Sequence, residues 1–257
     1  MTVHRAMSDP ALVSYLLRLG DDRLVLGHRV SEWCGHGPIL EEDIALTNMA
    51  LDLIGEAALL LKLAGEQEAK GRDEDTLAYF RDAIDFRNAL MLELPKGDFG
   101  FTIVRQFLFS VFSLLQMEAL QRSKLEALAG IAAKAVKESR YHVRHCAQWV
   151  ITLGDGTDES HTRAQHALDD LWRYTGELFM ADDIDREVAA AGFGVDPSTL
   201  TEPWQAQVGE VFIRAGLTVP KAGYMQRGGR EGRHTEHLGH MLAEMQIVAR
   251  SHPGATW

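Results

Sequence analysis

Four stretches of this chain set polar residues into the middle of otherwise apolar helical patterns. They hold His28 and Glu32, Asn48 and Asp52, Gln106 and Ser110, and Ser139 and His142. Residues three or four apart share one helical face, so each pair points the same way. On four facing helices, carboxylates and imidazoles at such spacing hold two metal ions. Two helices each give one carboxylate, and two others each give a Glu-x-x-His pair. Here that pattern is degraded. Glu32 keeps a carboxylate. Asp52 is followed by Gly55 where a histidine is needed. Ser110 stands in place of a carboxylate, and Ser139 in place of the glutamate before His142. Two carboxylates and one histidine give two redox-active irons too few ligands and too little negative charge. Glu32, Asp52, Gly55, Ser110, Ser139 and His142 are therefore read as vestigial metal-site positions, with no metal and no catalytic residue assigned. The competing reading keeps Glu32, Asp52 and His142 as a mononuclear or mismatched di-metal oxidase site.

The elements that must position these residues are helices. The organising one spans Ala127 to Leu153. Leu128, Ala132, Ala135, Ser139, His142, Cys146, Trp149 and Leu153 recur there at steps of four and three, a single stripe. An unpaired buried polar group costs about 1–3 kcal/mol, so Ser139 and His142 demand polar partners on a neighbour. Ser8-Asp9-Pro10 reads as a helix start for a first helix to about Cys34. A second runs from about Leu40 to Ala64 with Glu41, Glu42 and Asp43 in its first turn. A shorter one follows from Thr76 to about Phe86. Asp98 caps a helix from Phe99 towards Ala127, with a weak break at Ser123-Lys124. Ser160 to Met180, Ile184 to Ala191, Pro197 to Ala215 and Thr235 to Ser251 complete the set. No run alternates with period two for long enough to be a strand. Four helices of about 25 residues, each roughly 38 Å long, pack as a bundle. The expectation is one all-α domain over 1–257, with a core bundle at about 10–153 and C-terminal helices and a basic arm beyond.

Composition narrows the partners. The chain has 257 residues, 46 % of them apolar, and a formal net charge of −11. That charge argues against nucleic acid and against an anionic membrane surface. Two cysteines in helical apolar patterns suggest a reduced, cytoplasmic chain. MTVHRAMSDP has no apolar core of a secretory signal. Phe107–Leu115, the most apolar segment, is far short of the roughly 20 residues of a membrane span.

Long stretches then identify a family. LGDDRLVLGHRVSEWCGHGPILEEDIALTNMALDLIGEA, GRDEDTLAYFRD, TIVRQFLFS, AAKAVKESRYHVRH, LGDGTDES, DDLWRYTGELF and RHTEHLGHMLAEMQ resemble the C subunits of bacterial multicomponent phenylacetyl-CoA 1,2-epoxidases. The resemblance covers Ser14 to Trp257. It implies a ferritin-like fold with no working di-iron centre and no cofactor in this subunit. The partner it implies is a homologous catalytic subunit, which keeps the iron and binds the CoA thioester. Electrons reach that partner from a separate NADPH-dependent reductase.

Other clusters carry weaker signals. His234, His237 and His240 with Glu236 and Glu244 look like ligands, but Thr235 as a cap and Leu238, Met241, Leu242 and Met245 as a packed face explain them as well. Lys221, Arg227, Arg230 and Arg233 lie in a glycine-rich stretch without helical period. They read as a flexible cationic arm that docks on an acidic partner, or as a cradle for a CoA phosphate. Met180 to Asp185 reads as a solvated helix start. Cys34 and Cys146 read as core thiols.

Overall fold

The structure, a computed structural model, describes residues 9–221 and 223–255. Ser8, with its share of the first cap, lies outside them. Ten α-helices are present and no strand among the described residues. They are α1 (Pro10–Ser31), α2 (Leu40–Glu68), α3 (Glu74–Tyr79), α4 (Leu90–Glu93), α5 (Phe99–Leu120), α6 (Glu126–Gly154), α7 (Asp158–Thr175), α8 (Asp183–Ala191), α9 (Thr201–Arg214) and α10 (Glu236–Ser251). The fold is all-α and ferritin-like, its long helices being α1, α2, α5 and α6.

Local chemistry sets the boundaries. Asp9 accepts hydrogen bonds from the Ala11 and Leu12 amides at 3.0 and 3.2 Å, and Pro10 sits at the first helical position. Asp98 caps α5 through the Phe101 amide. Lys124 donates its amide to Gly192 O between α5 and α6, so the weak break of the sequence is a real turn. The helix expected over 76–86 stops at Tyr79, because Arg81 turns inward to bond Asp21 of α1 and the Leu77 carbonyl.

Helix α1 is the central rod. It pairs antiparallel with α2 so closely that a Cβ on Gly20 would sit 2.8 Å from Leu61 Cδ2, and one on Gly27 2.8 Å from Ile54 Cγ1. Its charged residues are buried, and each finds a partner from a different segment. Arg18 bonds Asp182 and Asp185 at the start of α8. Asp21 takes Arg81, Asp22 takes Arg230, and Arg23 takes Glu56 of α2. Buried charges persist only when paired in this way. The supposed solvated start at Met180–Asp185 is thus an anchor for α1.

On α6 the predicted stripe faces inward. Leu128, Ala132, Ala135, Ser139, His142 and Cys146 are buried, while Trp149 and Leu153 are partly buried against the core. Phe99 packs edge-on between Trp33 and Trp149. By length and composition α2 and α5 are both apolar enough to cross a membrane, which corrects the expectation taken from Phe107–Leu115. Most of α5 is buried in the bundle, whereas half of the apolar window of α2 is exposed.

Candidate functional site

The partner demanded by His142 is Asp52. His142 Nε2 lies 2.9 Å from Asp52 Oδ2, joining α6 to α2. His142 is buried and Asp52 is one-third exposed at the side chain, so the pair opens on a seam between the two helices. Ser139 is buried one turn earlier on α6. Nearer the start of α2, His145 makes a second such link to Glu42 at 2.9 Å, and the Tyr141 ring lies 5.7 Å from that imidazole.

One helical turn from Asp52, the sequence pattern missed a fully buried ion pair. Glu56 Oε2 accepts from Arg23 Nε at 2.7 Å. Arg23 also donates to Ser113 Oγ at 2.9 Å and to the Leu19 carbonyl at 3.0 Å. Glu138 stands one turn before His142. Burial raises its pKa, and the charges of Asp52 and Glu56 raise it further. A template of residues three apart passes over Asp52/Glu56 and Glu138/His142, which are spaced by four.

The other predicted positions scatter. Glu32 ends α1 as its C-cap and pairs with Arg29 at 2.7 Å instead of joining Asp52 and His142. Ser110 accepts from Gln106 Nε2 at 3.2 Å, and Gln106 Oε1 is buried with no partner among the described residues. His28 is held below its usual pKa by burial, and its Nε2 is likewise unpaired there. Nothing lies within 4 Å of where a Gly55 Cβ would be.

A di-iron centre does not fit these residues. Among the described residues no three histidine, cysteine or carboxylate side chains converge to hold a metal ion. The Arg23 guanidinium, a fixed positive charge, occupies the core beside Glu56. Gly55, Ser110 and Ser139 offer no ligand of the required kind.

The basic arm is not a free arm. Arg230 donates to both Asp22 oxygens at 2.7 and 2.8 Å and to the Arg87 carbonyl at 2.7 Å. The Gly228 and Gly229 amides donate to Glu177 Oε1, and Glu177 Oε2 takes the Leu90 amide. Lys221 and Arg227 are exposed, and Arg233 pairs at the surface with Glu231. The four cations therefore do not form one site. His234 is absorbed likewise: Nδ1 lies 2.7 Å from Glu93 Oε2 and Nε2 lies 3.0 Å from the Phe86 carbonyl. Cys146 is buried as expected of a core thiol, whereas Cys34 is exposed.

Surface concavities of about 300 Å³ between α5 and α7, and of about 320 and 390 Å³ beside α10, are lined by none of the seam residues.

A sequence model described as phenylacetic acid catabolic protein matches residues 2–257. The chain belongs to that family. Among curated proteins it is similar to the C subunit of the 1,2-phenylacetyl-CoA epoxidase of Escherichia coli (strain K12). The two are 48 % identical over 246 residues, which is 96 % of this chain and 99 % of that protein.

Proposed function

We propose that the chain is a non-catalytic subunit of a phenylacetyl-CoA epoxidase. It supports the homologous catalytic subunit, and through it works with the remaining subunits and the reductase. Oxygen insertion into the aromatic ring of phenylacetyl-CoA takes place on the di-iron of that catalytic partner, and this chain holds no cofactor. The observation that carries the reading is the buried Arg23–Glu56 pair, in a chain with Gly55, Ser110 and Ser139 where the sequence pattern calls for ligands. A guanidinium there repels a metal ion and neutralises one carboxylate, which disfavours iron beside it. The likeness to the C subunit of the E. coli epoxidase supports the same assignment.

What this chain contributes is surface and stiffness. Permanent hetero-complexes bury roughly 2,000–5,000 Å², and helices of 22–29 residues supply long faces. The test is reconstitution with the catalytic partner and the reductase. Epoxidation should require this chain and should survive His142→Gln with little loss. Loss of turnover by His142→Gln in a complex that still assembles would overturn the reading in favour of an oxidase-like site using Asp52 and His142.

A further inference from the structure

The exposed half of α2 has a regular pattern. Ile44, Asn48, Leu51, Gly55, Leu59 and Lys62 recur at three and four residues, with Leu51 63 % exposed. Such a stripe is the seam on which a second helix lies. At its centre Gly55 has empty space where a side chain would project, which lets another backbone approach closely.

Beside Gly55 the seam between α2 and α6 is acidic and short of donors. Asp52 and Glu56 lie one turn apart on α2, and His142, whose Nε2 is 2.9 Å from Asp52 Oδ2, lies one turn after Glu138 on α6. Glu56 is 2 % exposed and its Oε1 has no partner among the described residues; Glu138 Oε2 is also without one. The internal cation, Arg23, is committed to Glu56 Oε2. Lys134 reaches Glu138 only at 3.5 Å and is largely exposed. Asp52 and Glu138 keep part of their side chains in solvent, so the groove is open to an incoming group.

We infer that this groove receives a helix of the companion subunit. That helix sets an arginine or lysine between Asp52 and Glu138, while its apolar residues cover Leu51 and Leu59. The inference rests on the subunit reading above and names the surface and the charge it uses. An arginine brings five N–H donors, enough for Glu138 Oε2, which has no partner among the described residues, and for the Asp52 oxygen that His142 does not take. A second copy of this chain is a poor occupant, since its own acidic groove would face this one. An anionic bilayer is repelled for the same reason.

The test is co-purification with the companion subunits, followed by titration of the complex. Leu51→Asp and Gly55→Leu are expected to abolish the complex, because the first puts a charge into the contact and the second fills the crossing point. Both positions are open in the isolated chain, so its thermal unfolding should hardly change. Ile213→Asp, on the exposed side of α9, should leave the complex intact. Glu138→Gln is the discriminating variant. It relieves repulsion in the free chain, so that chain should melt no lower, yet the complex should weaken by at least about tenfold. A wild-type complex that persists unchanged in Leu51→Asp, Gly55→Leu and Glu138→Gln overturns the inference and leaves the subunit reading standing. A wild-type chain that binds no companion, or pairs only with itself or with vesicles, overturns both.

Discussion

The Arg23 guanidinium on α1 donates to Glu56 Oε2 on α2 at 2.7 Å, and neither side chain reaches solvent. Ser113 and Gln116 of α5 take the other end of the guanidinium. One ion pair and its hydrogen bonds therefore tie three of the four long helices together in the core.

Removing one partner of such a pair leaves the other charge buried. Arg23→Ala is expected to destabilise the chain by about 3–5 kcal/mol, a large part of the stability of an ordinary domain. The double variant Arg23→Met, Glu56→Met should recover most of that loss. Urea unfolding of the three proteins checks the pattern, and a double variant no better than Arg23→Ala would contradict it.

His234 gives the stability a pH dependence of known sign. Burial opposes its charged form, but the hydrogen bond and charge of Glu93 and the Phe86 carbonyl outweigh burial, and its pKa is raised. Both ring nitrogens face acceptors, so the imidazolium is the bonded form. A raised folded pKa means that the contribution is complete below the unfolded value of about 6.5 and is lost as pH rises through the folded value. Unfolding free energies measured from pH 6 to 9 should fall over that range. His234→Gln should flatten the curve.

Two glycines should respond oppositely to alanine. A Cβ on Gly229 would lie 2.0 Å from the Asn88 carbonyl, beneath the segment that Arg230 anchors. Gly239, in α10, has nothing within 4 Å. Gly229→Ala is expected to lower stability by more than about 1 kcal/mol, since backbone must move. Gly239→Ala should raise it by about 0.5–1 kcal/mol through helix propensity. Paired thermal melts decide the matter.

The thiols should differ in the native chain. Cys34 is exposed, while Cys146 is fully buried and its pKa is raised by burial. Iodoacetamide should therefore label Cys34 alone, and unfolding should expose the second site. Peptide mass spectrometry reads both. Rapid native labelling of Cys146 would mean that α6 opens readily.

Local periodicity made much of this legible. The stripe from Leu128 to Leu153 lies inward, and the polar break at His142 announced a partner that proved to be Asp52. What periodicity could not supply was long-range pairing. Asp22 and Arg230 are 208 residues apart, so Arg230 looked like part of a loose arm. Arg23 and Glu56 are 33 residues apart, and nothing within one turn of either reveals the other. Glu32 was placed with the centre by its face of the helix, but the helix ends there and the side chain turns to Arg29.

The most direct measurement is iron per chain, taken by metal analysis on this chain alone and on its complex with the companion subunits after growth in iron-rich medium. The account predicts no stoichiometric iron in the isolated chain, and in the complex only the iron that the catalytic partner carries by itself. About two irons per isolated chain, the complement of a working di-iron bundle, would contradict it and return Asp52 and His142 to the role of ligands.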